Sequence, residues 1–241
     1  MVDIDKYAED YSVNSFEEVK VFYRRKKMLE IMPHANWGRV LEIGCGLDPL
    51  FKYVNFDSYC VVEPSKKFYD VAVKEAKNDK IECVNDFFGI DTVLPHNTFD
   101  CIICSGLLHE VDFPEKILKG IYRYCNEDTI IHVNVPNAKS IHRLLGKAMG
   151  LIKDEHELSE KGILFQQNRV FDMNSLKKLV KQEGFEIVKE GSYFVKPFSH
   201  DQMKAILDAG FIDQKVLDGL YRLSDVIPEY GSEIYLNLKK R

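Results

Sequence analysis

The run Val40-Leu41-Glu42-Ile43-Gly44-Cys45-Gly46-Leu47-Asp48-Pro49 decides how the rest of the chain is read. Its first half is a short apolar stretch, entered at Arg39 and interrupted by one acid, Glu42. That pattern suits a strand buried on both faces of a parallel sheet. Its second half is a glycine turn. Gly44 and Gly46 let the backbone take positive φ and approach a ligand with no side chain in between. A dinucleotide site places a third glycine where this chain has Pro49, and uses it for close helix–strand packing beside a pyrophosphate. The turn therefore suits a ligand without phosphates, with a carboxylate at the N-terminus of a helix expected near residues 47–55.

On the N-terminal side, residues 15–32 carry helical spacing (Val19, Phe22, Tyr23, Met28, Ile31), with Ser15 and Glu18 spaced as a capping box and Pro33 ending the helix. On the C-terminal side, strand patterns recur at 59–62, 81–84, 101–105 and 129–135. Helical stretches lie between them, one opening at Pro64-Ser65 and one covering 113–125 with Pro114 in its first turn. Strand and helix alternating in this way is the signature of a doubly wound parallel sheet, whose ligands lie at the carboxyl ends of the strands. The last third differs. Residues 138–161 read as helical, 162–170 as a loop, 173–183 as a helix capped near Asp172, and 185–189 as a strand. Two short helices around Gly210 are expected within 199–224, and 232–238 alternates as a final strand. The ending predicts an antiparallel hairpin closing a seven-stranded sheet. One domain over 1–241 follows, with a lid in 1–32 and cap insertions at 138–170 and 197–229.

Composition narrows the class. The chain has 241 residues, 45% of them apolar, which is enough for a sizeable core. A net charge of −5 with mixed signs argues against a nucleic-acid groove. The N-terminus is acidic and polar rather than a signal peptide, and no apolar run approaches the roughly 20 residues of a membrane span. The six cysteines lie mostly in strand-like runs and read as small buried hydrophobes in a reducing cytoplasm. Cys101 and Cys104 share one strand at a spacing that sends them to opposite faces, against a redox or zinc role.

Acids at the strand ends sharpen the ligand. Glu63 ends the second strand about 20 residues after the glycines, where a carboxylate can accept from both ribose hydroxyls. Asp86 follows the third strand and can accept from an adenine amino group, with Phe87 beside it to pack on the ring. Glu42, and carbonyls near Ser105, suit a cationic group. The runs VLEIGCG, VVEPS, NDF and FDCIICSGLLHEV together resemble the successive motifs of class I S-adenosylmethionine-dependent methyltransferases. That resemblance implies an α/β, Rossmann-like sheet of order 3-2-1-4-5-7-6 and S-adenosyl-L-methionine as methyl donor. By residue match, Gly44, Cys45 and Gly46 would line the methionine part. Glu63, with Pro64 beside it, would hold the ribose, Asp86 and Phe87 the adenine, and Ser105 the ammonium. Tyr11 and Tyr7, ahead of the first helix, are positioned to close over the donor. The later runs VPNAKSIHRLLGKAMG, QNRVFD and VKPFS are similar to small-molecule methyltransferases of bacterial surface-polysaccharide clusters, which implies a sugar, nucleotide-sugar or capsule precursor as acceptor.

Methyl transfer from a sulfonium chiefly needs alignment, and a hydroxyl nucleophile also benefits from a general base. His109 follows the fourth strand and His142 the fifth, and a histidine suits that role at neutral pH. The order Leu108-His109-Glu110 departs from the Leu-Glu-His common at this position. His132, mid-strand, reads as a core histidine; His34, His96, His156 and His200 read as loop or surface residues. Arg143 and Arg169 lie in the inserted region and suit a carboxylate or phosphate of the acceptor. No paired aspartates follow the fifth strand, so no metal is expected. The expected activity is O-methylation of a small polar acceptor in the cytoplasm, with room for a homodimer and no nucleic-acid partner. Small-amine N-methylation and non-catalytic donor binding are the alternatives, and a NAD dehydrogenase a distant third.

Overall fold

The computed structural model describes residues 16–32 and 35–241, with positions 4, 6 and 9 before them. Tyr7, Tyr11, Ser15 and His34 lie outside the described residues, and with them the expected capping box and the tyrosine closure. In chain order the elements are helix α1 (Glu17–Ile31), strand β1 (Arg39–Ile43), a 3-10 turn (Leu50–Lys52), β2 (Ser58–Val62), α2 (Lys66–Glu75), β3 (Ile81–Val84) and β4 (Cys101–Ser105). There follow α3 (Pro114–Arg123), β5 (Ile130–Pro136), α4 (Ile141–Ala148), α5 (Glu160–Leu164), α6 (Met173–Gln182), β6 (Phe185–Tyr193), α7 (His200–Asp208), α8 (Gln214–Leu223) and β7 (Glu233–Lys240). The seven strands form one sheet of order β3-β2-β1-β4-β5-β7-β6. Neighbours from β3 to β5 pair in parallel, and β7 runs antiparallel to both β5 and β6. This is the expected order, including the closing hairpin.

Strand alternation divides the core between the two faces. Leu41, Ile43, Cys60, Val62, Ile102 and Cys104 face α3 and α6, where Leu118, Ile121, Leu176 and Val180 are fully buried. Val40, Tyr59, Val61, Cys101 and Ile103 face the other way, onto Met28 of α1 and Ala72 of α2. Cys101 and Cys104 thus pack in different cores, and all six cysteines are free thiols. A third cluster joins α1 to the segment between β6 and β7. Tyr23 stacks on Phe194 at 4.8 Å and on Tyr221 at 5.1 Å, with Met203 and Leu217 buried beside them. Residues 199–224 are therefore docked on α1 by aromatic burial, each such ring contributing on the order of 2 kcal/mol. No described helix is long and apolar enough to cross a membrane.

Three segments differ from the expectation, each for a local reason. The helix expected at 47–55 is only a 3-10 turn. The Glu42 carboxylate accepts from Leu50 N at 3.1 Å and so ties the turn to β1, while the Asp48 carboxylate is held by the side chains of Arg25, Lys52 and Tyr53. The helix expected through 138–161 stops at Ala148, where Gly150 takes φ 74 and ends it in the left-handed conformation. The loop expected from 162 contains the end of α5, whose N-cap Ser159 accepts from Gly162 N at 3.1 Å.

Candidate active site

The carboxyl ends of β1, β2 and β4 open into one cavity of about 1200 Å³. Gly44, Cys45 and Gly46 line it, as do Glu42, Glu63, Pro64, Ser105, His109, His142 and Arg143. Expected site residues from four separate stretches of sequence thus meet around a single space. The segments 138–170 and 197–229 both contribute walls, through Gly146, Ser159 and Phe165 from one and Ser199, His200 and Lys204 from the other.

The glycine turn is built as its sequence demands. Gly44 has φ 76 and Gly46 φ 56, values that cost a side-chain-bearing residue strain. A Cβ at Gly44 would meet nothing within 4 Å, so the turn presents bare backbone to open space. Glu63 ties this turn to the end of β2: one carboxylate oxygen accepts from Cys45 N at 3.0 Å and Gly46 N at 3.4 Å, the other from Ser65 N at 2.9 Å. Burial raises the Glu63 carboxyl above its usual range, and those three amides oppose the rise. A carboxylate offers roughly four lone-pair sites, so Glu63 retains capacity for a ligand hydroxyl. Asn85 Nδ2 donates to the carbonyls of Glu63 and Pro64 at 2.8 and 3.2 Å, fixing the end of β3 beside that of β2.

Several expected contacts are differently made. Glu42 does not aim a free carboxylate at a cationic ligand. It accepts from Tyr59 Oη at 2.9 Å as well as from Leu50 N, and burial pushes its carboxyl up to about 8, where the neutral form predominates at pH 7. Asp86 and Phe87 stand outside the cavity walls. The Asp86 carboxylate accepts from Phe87 N at 2.7 Å, and Phe87 is 58% exposed. Arg143 spends its guanidinium on the carbonyls of Glu155, at 3.0 Å, and Glu157, at 2.5 Å, bracing the loop after α4. Arg169 donates to the carbonyls of Val111 and Asp112 at 3.1 and 2.6 Å, outside the cavity walls, and locks the end of the first inserted segment to the loop after β4. Arg143 nonetheless lines the cavity, and Arg169 keeps a buried Nε with no hydrogen-bond partner.

The histidines sort cleanly. His132 is fully buried with Nδ1 2.8 Å from Asn237 Oδ1, the core histidine its position predicts. His109 and His142 each have a buried Nδ1 with no hydrogen-bond partner. Burial pushes His109 down to about 3, against the pull of Glu233. Burial, with the charges of Lys196, Arg143 and Lys20, drives His142 well below the imidazole range. Both rings are therefore neutral at pH 7. His200, expected at the surface, is instead turned into the cavity, and its Nδ1 is likewise buried and unpartnered.

A polar floor lies beneath these rings that the sequence pattern does not announce. Glu233, the first residue of β7, accepts from Arg24 Nε at 3.0 Å, Arg24 Nη2 at 2.5 Å and Asn134 Nδ2 at 2.7 Å, and Tyr193 Oη donates to it as well. Although burial opposes it, this set holds the carboxyl well below the usual range. Lys196, shortly after β6, lines the same cavity at 1% exposure. Its one sequence signal is a lysine set inside the apolar run Tyr193-Phe194-Val195-Lys196-Pro197-Phe198.

Among the described residues, Asp154, Glu155 and His156 bring three potential ligand atoms within 4.8 Å of one another, on the loop after α4 and outside the cavity walls.

A family model described as a methyltransferase domain matches residues 16–190, well over half of the chain. The chain belongs to that methyltransferase family. Solved structures agree on the fold. An S-adenosylmethionine-dependent methyltransferase from Mesorhizobium loti superposes with a TM-score of 0.67 at 12% identity, covering 92% of this chain and all of that one. A Thermotoga maritima protein described as a possible histamine N-methyltransferase gives 0.65 at 17% identity, covering 98% and 97%. Haemonchus contortus phosphoethanolamine N-methyltransferase 2 gives 0.66 at 14% identity, covering all of this chain and 60% of that one. No curated protein sequence matches significantly. The methyltransferase is thus an α/β protein with the Rossmann-like sheet of the S-adenosylmethionine-dependent enzymes.

Proposed function

We propose that this methyltransferase O-methylates a small polar acceptor, of the sugar, nucleotide-sugar or capsule-precursor class, with S-adenosyl-L-methionine as donor. When bound, the donor supplies a methyl group on a sulfonium, which leaves as a neutral thioether. Gly44, Cys45 and Gly46 would take its methionine part, where bare backbone borders open space. Glu63, with Pro64 beside it, would accept from the ribose hydroxyls, and the Ser105 carbonyl would meet the ammonium. Asp86 and Phe87, at the exposed end of β3, would form an open rim beside the adenine rather than a closed wall.

The observation that carries the hydroxyl assignment is the state of two imidazoles. His109 and His142 line the same cavity and each keeps a ring Nδ1 with no hydrogen-bond partner, although burial makes both rings weaker bases than an ordinary imidazole. A neutral ring nitrogen can take the proton of a hydroxyl as its oxygen attacks, whereas an amine needs no such group once it is neutral. His142, on the inserted helix α4, is the one assigned as base. Two of the structural neighbours are described as N-methyltransferases, which supports an amine acceptor as the second reading. Free thiols at all six cysteines fit a reducing cytoplasm as the working compartment.

The test is product detection by mass spectrometry across matched hydroxyl and amine acceptors, with wild-type protein and His142→Ala. The reading predicts a methylated hydroxyl and a kcat about 10²–10⁴-fold lower in the variant, with the affinity for S-adenosylhomocysteine unchanged. Methylation of amines alone, at the same rate in both proteins, would overturn it.

A further inference from the structure

The cations lining the cavity are, with one exception, engaged. Lys20 pairs with Glu17 and Glu233 at 3.4 and 3.5 Å, and Arg24 with Glu233. Arg25 pairs with Asp48, Lys161 with Asp201 at 3.1 Å, and Lys204 with Asp208 at 2.5 Å. Arg143 is spent on carbonyls. Among the described residues, Lys196 alone of these cations has neither a hydrogen bond nor an ion pair, and it is also the most deeply buried. A buried amine without a hydrogen-bond partner is costly for a fold to hold, and an anion at that position would supply the partner it lacks.

The surroundings indicate what completes it. Lys20 and Lys161 add positive potential at Lys196. The carboxylates within reach, Glu17 and Glu233, are already claimed by Lys20 and Arg24. Beside it, His142 and His200 each have a buried Nδ1 with no partner, and both rings sense the Lys196 charge. Lys196 comes from the segment after β6, His200 from α7 and Lys20 from α1, so three separate elements line the same cavity here.

We infer that Lys196, with the His200 ring and the Lys20 charge, forms a subsite for an oxyanion of the acceptor, a phosphoryl or carboxylate group, which anchors that molecule while another part of it is methylated. This deepens the acceptor assignment above and rests on it for where the acceptor lies. An oxyanion would supply the acceptor atoms that the Lys196 donors lack, and charge-assisted bonds in a site shielded from water are the strong kind. Burial and the neighbouring lysines hold the Lys196 ammonium well below the ordinary lysine range, so binding an anion there should draw a proton onto the amine.

The test uses the full chain with S-adenosylhomocysteine present. Inorganic phosphate and acetate, as the phosphoryl and carboxylate probes, are titrated by calorimetry into wild-type protein and Lys196→Met. The subsite predicts saturable binding of at least one anion. It also predicts affinity roughly tenfold or more weaker in the variant, and a binding heat that changes with the buffer's ionisation heat, the sign of proton uptake. Should Lys196→Met fold poorly, Lys161→Gln is the second variant. It removes one contributor to the positive potential at the subsite and is expected to weaken the same anion by about two- to fivefold. No binding of either anion, or equal binding in wild type and variants, would overturn the proposal. Binding of S-adenosylhomocysteine is followed separately, so a failure of the donor assignment shows there and not in the anion titration.

Discussion

The two ends of the cavity are built by opposite means. At the donor end, backbone does the work: a glycine turn with left-handed φ values, fastened by one carboxylate through three amide hydrogen bonds. Its residues come from neighbouring strand ends between Glu42 and Ser105, and the register of the parallel sheet places them. At the other end side chains do the work, contributed by α1, α4, α7 and the segments after β4 and β6, and held by ion pairs across 209 positions such as Arg24 to Glu233. The first end is placed by sheet topology, the second by tertiary packing of inserted segments, and the proposed acceptor selectivity would lie in the second.

The comparison can be broken from either side. The largest effect is expected at the floor of the side-chain end. Glu233→Ala leaves Arg24 buried with only Glu17 near it, and should cost about 3–5 kcal/mol of stability in denaturant unfolding. A loss below about 1 kcal/mol would mean that the network is not what holds this end together. At the backbone end, Gly44→Val places a branched side chain where φ is 76 and fills the open space beside the turn. The expected result is donor affinity lower by about tenfold or more, from about 1–3 kcal/mol of backbone strain with occlusion added, read by calorimetry with S-adenosylhomocysteine. A third effect, read in pH dependence, concerns Glu42, which supports the turn from beneath. Its folded pKa, about 8, lies above its ordinary value of 4.5, so its contribution is fully present below about pH 4.5 and is lost as pH rises through 8. Glu42→Gln should remove that part of the decline. Thermal melts of variant and wild type should then diverge between about pH 5 and about pH 8, with the variant the flatter.

Most of the fold was legible because its signals are local. Val40 to Ile43, Tyr59 to Val62 and Cys101 to Ser105 are short apolar runs, each ending in a turn. Their alternation with helices leaves few topologies. Gly44, Gly46 and Glu63 were legible for the same reason, since each sits at the end of a strand visible in sequence. The segment after Gly46 was misread because Glu42 and Asp48 hold it through side-chain contacts, which periodicity does not record. Arg143 and Arg169 matched a substrate clamp in type and place, yet fold back onto carbonyls 12 and 58 positions away. His200 reads from sequence as a loop or surface residue, and Lys196 carries no sequence signal beyond its place in an apolar run. They became cavity residues only when α7 and α8 packed on Tyr23, a contact that joins opposite ends of the chain. Pairing of this kind leaves little trace in a single sequence.

In the proposed function, donor binding and acceptor chemistry occupy separable halves of one cavity. Calorimetric affinity for S-adenosylhomocysteine, measured side by side in Glu63→Gln and His142→Ala, tests it most directly. The account predicts binding weakened by about tenfold or more in Glu63→Gln, from the loss of charge-assisted bonds, and unchanged in His142→Ala. Equal weakening in both, or none in Glu63→Gln, would contradict it.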